Sequence, residues 1–153
     1  MRLTTRTNLA ARVLMYCAVN DGVTVRSSQI ATACNASLNH VAQVIHQLQV
    51  NGFVATQRGR SGGLTLARPA DKVCVGDVFR VFEAGVPFAE CFAANSNTCP
   101  LVDSCRLRGA IGRAVEAFYR VLDELTLEDL VKGNCGLEAL MDINQMPRLM
   151  CSA

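Results

Sequence analysis

SSQIATACNASLNHVAQVIHQLQVNGFVATQRGRSGGLTLA, residues 27–67, is the stretch that decides the fold. Ser27 and Ser28 are candidate N-caps for a short helix, QIATAC. The break at Asn35 precedes Ser37, which opens a longer helix over residues 38–51. The order short helix, turn and longer helix predicts a helix-turn-helix unit.

The longer helix carries an apolar stripe and a polar face. The stripe is formed by Leu38, Val41, Val44, Ile45 and Leu48. After Gly52, the segment alternates apolar and polar residues on either side of RGRSGG, a pattern typical of a β-hairpin. A hairpin that follows a helix-turn-helix predicts a winged helix, in a mainly α-helical protein with a small β-hairpin wing.

Base-reading groups lie at the start of the longer helix, at Ser37, Asn39, His40 and Gln43. Short polar side chains at this end of a recognition helix can bind base edges in the major groove. The alternative is that they are ordinary exposed residues of a helix that packs on the core.

The tip of the hairpin favours DNA binding. Arg58 and Arg60 flank Gly59, and the glycines allow a close approach to the phosphate backbone or the minor groove. An ordinary charged turn remains the alternative.

The charge distribution agrees with a polyanion partner for the first half only. Residues 1–68 contain seven arginines and one acidic residue, a net charge of +6, whereas the remainder contains eight basic and twelve acidic residues, a net charge of −4. Such an asymmetry indicates nucleic acid as the partner of the first half, although a solvated basic face gives the same pattern.

Three cysteines follow the predicted DNA-binding half. Cys91, Cys99 and Cys105 stand as Cys-x7-Cys-x5-Cys in a polar loop that contains Pro100. Three thiolates in one loop can hold an iron–sulfur cluster or a zinc ion, or can form a reversible disulfide. The other cysteines include Cys17 and Cys74, which are predicted core residues because their neighbours are apolar.

The chain divides into four predicted regions. Residues 1–85 form the winged helix-turn-helix region and residues 86–105 the cysteine loop. Residues 106–132 contain a long helix and a short following helix, and residues 133–153 form a loosely held tail with a few docking apolar residues. The long helix carries an apolar stripe that needs a partner, at Leu107, Ile111, Val115, Phe118 and Leu122.

Composition excludes several classes of protein. No stretch has the roughly 20 consecutive apolar residues of a membrane span, and the N-terminus has no export signal, so a cytoplasmic protein is expected. In that compartment thiols stay reduced, which argues against a disulfide framework. Both histidines lie on the recognition helix and no nucleophile pairs with a base, so the protein is not expected to be an enzyme.

The chain contains four motifs: RLTTRTN, SLNHVAQVIHQL with RGRSGGL, the three-cysteine loop and LEDLV. Together they resemble the iron–sulfur transcription regulators that include NsrR, RirA and IscR. The resemblance covers residues 1 to about 132. The NHVAQVI and AFYRVLDELTLEDLV segments are most similar to NsrR, the nitric-oxide-sensing branch. AECF and CPLVDSC are also similar to RirA, the iron-responsive branch.

This resemblance implies a homodimer on a palindromic double-stranded DNA operator. It implies that Cys91, Cys99 and Cys105 bind a four-iron four-sulfur or two-iron two-sulfur cluster. The position of an aspartate ligand from the second subunit is Asn8 here, and that of a histidine ligand is Arg108. The fourth ligand therefore stays open. Arg2, in the RLTTRTN motif, is a further expected DNA contact.

The expected function is that of a repressor whose cluster, when attacked by nitric oxide, no longer holds the dimer on its operator. An iron-responsive repressor is the first alternative. A zinc or thiol-redox regulator that uses the same cysteines is the second.

Overall fold

The computed structural model describes residues 3–59, 62–93 and 95–143. Within these residues there are seven α-helices and one antiparallel pair of strands. Their bounds are α1 Thr5–Val19, α2 Ser27–Ala33, α3 Leu38–Val50, β1 Val54–Gln57, β2 Gly63–Leu66, α4 Val75–Glu83, α5 Arg106–Asp123, α6 Leu127–Val131 and α7 Cys135–Met141. Short 3-10 helices occupy Ala70–Lys72 and Glu90–Phe92.

The first helix, α1, lies at the centre of the hydrophobic core. Thr4 caps its N-terminus by accepting a hydrogen bond from the Thr7 N–H. Leu9, Val13 and Cys17 on its apolar face are nearly inaccessible to solvent, as their spacing predicts. The helix packs against α3, α4 and α6, so it joins the two halves of the chain.

The helix-turn-helix is confirmed, with one correction to its caps. Arg26, and neither Ser27 nor Ser28, precedes the first turn of α2, and its N–H donates to the Gln29 side chain at 2.7 Å. Asn35 makes the turn with a φ of 46°, in the left-handed region that asparagine tolerates. Ser37 then caps α3 by accepting from the His40 N–H at 3.2 Å.

The recognition helix α3 buries a narrower stripe than the pattern predicts. Val41, Val44, Ile45 and Leu48 are buried, but Leu38 is 55% exposed. The prediction for Leu38 was wrong because this residue opens the helix, ahead of the part that packs on the core.

The predicted wing is present as β1 and β2, which pair from Val54 with Leu66 to Gln57 with Gly63. Gly59 at the tip has a φ of 117°, which an L-residue adopts only with strain. Backbone hydrogen bonds between Val25 and Leu64 in both directions, at 2.9 and 2.8 Å, anchor the wing beside α2. The wing is thereby fixed on the same side of the fold as the helix-turn-helix.

The longest helix, α5, contains no buried residue over its 18 positions. Leu107 and Val121 are 67% and 61% exposed. One end packs on α4, where the Phe79 and Phe118 ring centroids lie 6.3 Å apart. Of the other stripe residues, Ile111, Val115 and Leu122 are half-buried and Leu107 is exposed.

The first part of the predicted C-terminal tail forms the helix α7, and its apolar residues dock on the core. Met141 among them is buried. The Asn20 side chain holds this docking: its amide donates to the Tyr16 and Met141 carbonyls, both at 2.8 Å, and its oxygen accepts from the Ile143 N–H at 2.8 Å. Residues 144–153 lie outside the described residues.

None of the helices among the described residues is both long enough and apolar enough to span a bilayer.

Candidate nucleic-acid interface and cysteine loop

The exposed face of α3 carries the predicted base-reading residues. Ser37, Asn39, His40 and Gln43 are all exposed. The Ser37 hydroxyl is engaged as the helix cap, so its predicted role at a base edge competes with its role in holding the first turn. Asn39, His40 and Gln43 project from the first two turns, where a recognition helix meets base edges.

The wing presents Arg58 beside this helix. Its side chain is exposed. Among the described residues it has no hydrogen bond or ion pair, so its guanidinium can reach a phosphate without losing an internal contact. Arg60 and Arg2, the two other arginines predicted to contact DNA, lie outside the described residues.

The three cysteines of the predicted cluster site are free thiols, and each is half-buried. They are not core residues, which agrees with the sequence interpretation of a solvent-reachable loop. Cys17 fulfils the predicted core role. Cys74 does not, because it precedes the first turn of α4 and is half-exposed, with its Sγ 3.9 Å from an Asp123 carboxylate oxygen.

Two contacts tie the cysteine loop together. The Glu90 carboxylate accepts from the Thr98 N–H at 2.8 Å and from the Thr98 hydroxyl at 2.6 Å. These hydrogen bonds lower the pKa of Glu90. Because Glu90 precedes Cys91 and Thr98 precedes Cys99, this contact brings the backbones of the first two cysteines together.

Arg108 makes the second contact. Its Nε donates to the Cys91 carbonyl at 3.0 Å, and its own backbone N–H donates to the Cys105 Sγ at 3.4 Å. The guanidinium also lies 5.7 Å from the centre of the Phe92 ring. A residue at the expected histidine-ligand position thus holds Cys91 near Cys105. Sequence reasoning missed this role, because the hydrogen bond to the Cys91 carbonyl depends on how the loop folds back.

The donor chemistry of the loop fits a thiolate-bound metal group. Free thiols of this kind are soft ligands for iron and zinc. Cys105 is also the N-cap of α5, where the helix dipole favours negative charge such as that of a thiolate. Within the described residues, however, no three His, Cys, Asp or Glu side chains are gathered closely enough to hold a metal ion. The loop must draw its sulfurs together to bind one.

Asn8, the expected neighbour of the cluster, is engaged by Arg12. The Asn8 side-chain oxygen accepts from the Arg12 guanidinium, at 2.8 Å from Nε. Arg12 also donates to the Cys34 carbonyl at 2.9 Å, which fixes this pair beside the helix-turn-helix. Asn8 as a neighbour of the cluster stays a prediction.

The helix α4 connects the cysteine half to the DNA-binding half. Arg80 forms a bidentate ion pair with Asp123 of α5, at 2.5 and 2.7 Å, and lies 4.7 Å from the centre of the Tyr119 ring. This pairing lowers the pKa of Asp123. At the other side of α4, the Val81 carbonyl accepts from the Gln47 side chain of α3 at 3.2 Å. Sequence periodicity gives no sign of this connection.

The carboxylate of Glu83 extends the connection to α1. It accepts from the Thr4 N–H at 2.9 Å and from the Thr7 hydroxyl. Thr7 is fully buried, so its hydroxyl depends on this internal partner. The N-terminal turn of α1 is therefore bound to the C-terminal turn of α4.

The exposed polar recognition helix and the anchored wing beside it define a winged helix-turn-helix DNA-binding regulator. The family model Rrf2, described as an iron-dependent transcriptional regulator, matches residues 3–133. The chain belongs to the Rrf2 family of transcriptional regulators.

The sequences of known relatives align with nearly the whole chain. It is 42% identical over 153 residues to Protein aau3 of Rhizobium meliloti, covering 100% of this chain and 99% of that protein. It is 39% identical over 142 residues to the HTH-type transcriptional regulator NsrR of Geobacillus kaustophilus, covering 92% and 97%. Among solved structures, the global cysteine regulator CymR of B. subtilis superposes with a TM-score of 0.63 at 26% identity, covering 85% and 95%.

Proposed function

We propose that the protein is a homodimeric repressor that binds a palindromic operator under the control of an iron–sulfur cluster sensitive to nitric oxide. Cys91, Cys99 and Cys105 hold the cluster. Asn39, His40, Gln43 and Arg58 contact the DNA. The signal enters through the cysteine loop, and the protein acts in the cytoplasm, where its operator is.

One observation carries this proposal: three free, half-buried thiols stand in a single loop between the DNA-binding half and α5. A loop of core cysteines would be buried, and a structural disulfide would leave no free thiols. The relatives named NsrR support the choice of nitric oxide over other signals.

The homodimer is supported by the exposure of α5. A helix with no buried residue over 18 positions is poorly stabilised by its own protomer, because helices in proteins depend mainly on packing an apolar face. In a twofold-symmetric dimer, each α5 covers the apolar stripe of the other. The same symmetry places two recognition helices on one operator.

When bound, the cluster supplies iron that reacts with nitric oxide. The residues of the chain supply the rest. The hydrogen bonds of Glu90 and Arg108 hold the loop together and against the start of α5. Arg80 and Asp123 fix the end of α5 to α4, and Gln47 fixes α4 to the recognition helix. A change in the order of the loop thereby alters the relative position of α5 and α3.

The test is anaerobic purification followed by visible-region absorbance, iron and sulfide analysis and operator selection from random duplexes. Replacing Cys91, Cys99 or Cys105 by Ala should abolish the absorbance and weaken specific binding. Cys74→Ala is the matched control, because Cys74 is also a free, half-buried thiol and lies outside the loop. Equal absorbance in the loop variants and the wild type would exclude the cluster.

The same preparation separates nitric oxide from iron as the signal. Titration with nitric oxide should release the operator from the loaded protein with iron still supplied. Release by an iron chelator alone, with no response to nitric oxide, would instead assign the iron-responsive function.

A thiol-redox or zinc regulator is the second candidate. Its thiol-redox form is favoured over its zinc form by the absence of a gathered metal set among the described residues. The structural likeness to CymR, the global cysteine regulator of B. subtilis, supports the same form. Colourless anaerobic protein that binds zinc stoichiometrically, or that loses DNA affinity when oxidised and regains it when reduced, would support this candidate and overturn the cluster.

A further inference from the structure

A polar recess lies between the N-terminal turn of α1 and the second half of α3, away from the wing. Arg6 contributes from α1, and Gln43, His46, Val50 and Asn51 contribute from α3 and its C-cap. The recess has a volume of about 380 Å³. All five of these side chains are exposed.

Arg6 has no hydrogen bond or ion pair among the described parts of the chain. Other arginines of the DNA-binding half are engaged: Arg12 donates to Asn8 and to the Cys34 carbonyl, and Arg68 lies 5.0 Å from the centre of the Phe53 ring. Arg6 shares its freedom with Arg58 of the wing. A guanidinium without an internal partner can bind an external anion at no cost in internal contacts.

The charge of the recess favours an anion. No acidic side chain lines it. Asp21 is the single acidic residue among the first 68 residues of the sequence. The Glu83 carboxylate, which reaches α1 from α4, does not line the recess and is engaged by Thr4 and Thr7. Arginine with Gln and Asn amides is a donor set that proteins use on phosphate oxygens.

The recess continues the base-reading face. Asn39, Gln43, His46 and Val50 are spaced by four, three and four residues, which places them along one side of α3. A 13-residue helix is about 20 Å long, whereas the major groove is about 12 Å wide. With its N-terminal turns at the bases, the other end of α3 lies over the sugar-phosphate backbone.

We infer that Arg6, with Gln43, His46 and Asn51, forms a second phosphate site that binds the DNA backbone just beyond the bases read by α3. The inference rests on DNA binding by α3. It adds a contact from α1 to those of the recognition helix and wing, and it makes Gln43 the residue shared by base and phosphate. Because α1 is held to α4 through Thr4 and Glu83, the position of this contact depends on the rest of the fold.

The test is the salt dependence of binding to a mixed-sequence 30-base-pair duplex, measured by fluorescence anisotropy. Each phosphate contact contributes roughly 0.9 to the slope of log affinity against log salt. Arg6→Ala should therefore lower the slope by roughly 1 per subunit. Arg6→Lys should restore it, because the charge at the phosphate returns.

Two variants serve as references. Lys72→Ala removes an exposed cation that is paired with Asp71 and lies outside the recess, so its slope should match the wild type. Arg58→Ala should lower the slope through the wing and act additively with Arg6→Ala. Melting curves should show both arginine variants folded, since each side chain is exposed.

The operator selected from random duplexes, made with neutral methylphosphonates at the phosphates flanking each half-site, distinguishes a bound phosphate from a general field effect. On that duplex, Arg6→Ala should have no further effect. An unchanged slope for Arg6→Ala, with a reduced slope for Arg58→Ala, would overturn the phosphate site and leave DNA binding intact. Failure of the wild type to bind any duplex would refute DNA binding itself.

Discussion

At the scale of single residues, Cys17 and Cys91 show how one side chain takes two roles in the same chain. Cys17 is 3% exposed within the core, and burial raises its pKa to about 12. Cys91 is half-buried, in the loop that also contains Cys99 and Cys105. The thiolate is the reactive form of cysteine, so burial removes Cys17 from thiol chemistry.

Thiol labelling should separate these two classes. Iodoacetamide at pH 8 should modify Cys91, Cys99 and Cys105 within minutes in the metal-free protein and leave Cys17 unmodified, as measured by peptide mass spectrometry. Raising the pH from 7 to 9 should leave Cys17 protected, because its pKa lies well above both values. In urea, Cys17 should react as fast as the others; rapid labelling of Cys17 in the native protein would contradict its core position.

Residue patterns in the sequence identify the exposed polar face of α3 and the loop thiols, because both follow from spacing and neighbours. The same patterns predict the wrong burial for Leu38 and Cys74. Each stands at the edge of a helix, where burial depends on which neighbouring element covers it. The role of Arg108 could not be predicted for a related reason, since its hydrogen bond to the Cys91 carbonyl joins residues 17 positions apart in a folded loop.

At the scale of elements, the C-terminal helix α7 depends on one buried amide. Asn20 is 5% exposed and makes three hydrogen bonds of 2.8 Å to Tyr16, Met141 and Ile143. Asn20 also ends α1 as its C-cap, a role typical of asparagine. The sequence does not show that the same side chain hydrogen-bonds to the backbone of a segment more than 120 residues further along the chain.

Asn20→Ala should destabilise the protein by roughly 2 kcal/mol, because it leaves the buried Met141 carbonyl and Ile143 N–H without partners. Urea denaturation followed by circular dichroism measures this change. Asn51→Ala is the matched control, since Asn51 also donates its amide to a backbone carbonyl, at 2.8 Å, but is exposed. A loss at Asn20 no larger than that at Asn51 would show that α7 docks without this clamp.

Elements that follow a local pattern are predictable from the sequence: α1, α3, the wing, and α6 with its capping box of Thr126 and Asp129. The connection through α4 is not. Arg80 and Asp123 are 43 residues apart, and Gln47 and Val81 are 34 apart. Such pairs arise only when the fold brings the elements together.

At the scale of the whole molecule, the proposed homodimer depends on the apolar stripe of α5. Leu107 is 67% exposed in the protomer, so replacing it should have little effect on a chain that stays single. In a dimer that covers the stripe, the same change places a charge in an apolar contact.

Leu107→Asp should raise the dimer dissociation constant at least tenfold, because an unpaired carboxylate in an interface costs more than about 1.4 kcal/mol. Sedimentation velocity across a range of concentrations measures this constant. Arg120→Gln is the control: it changes the net charge by the same amount on the face of α5 opposite the stripe. Identical sedimentation of wild type and Leu107→Asp would refute a dimer built on this part of α5.

In the proposed homodimer, the exposed stripe of α5 has a consequence for regulation in the cell. Assembly through this helix would follow mass action, and each tenfold dilution of the chain would cost the dimer about 1.4 kcal/mol. The rate of synthesis of the protein would then set what fraction of its molecules is competent to occupy a promoter. Gene dosage would act as a second input beside any chemical signal.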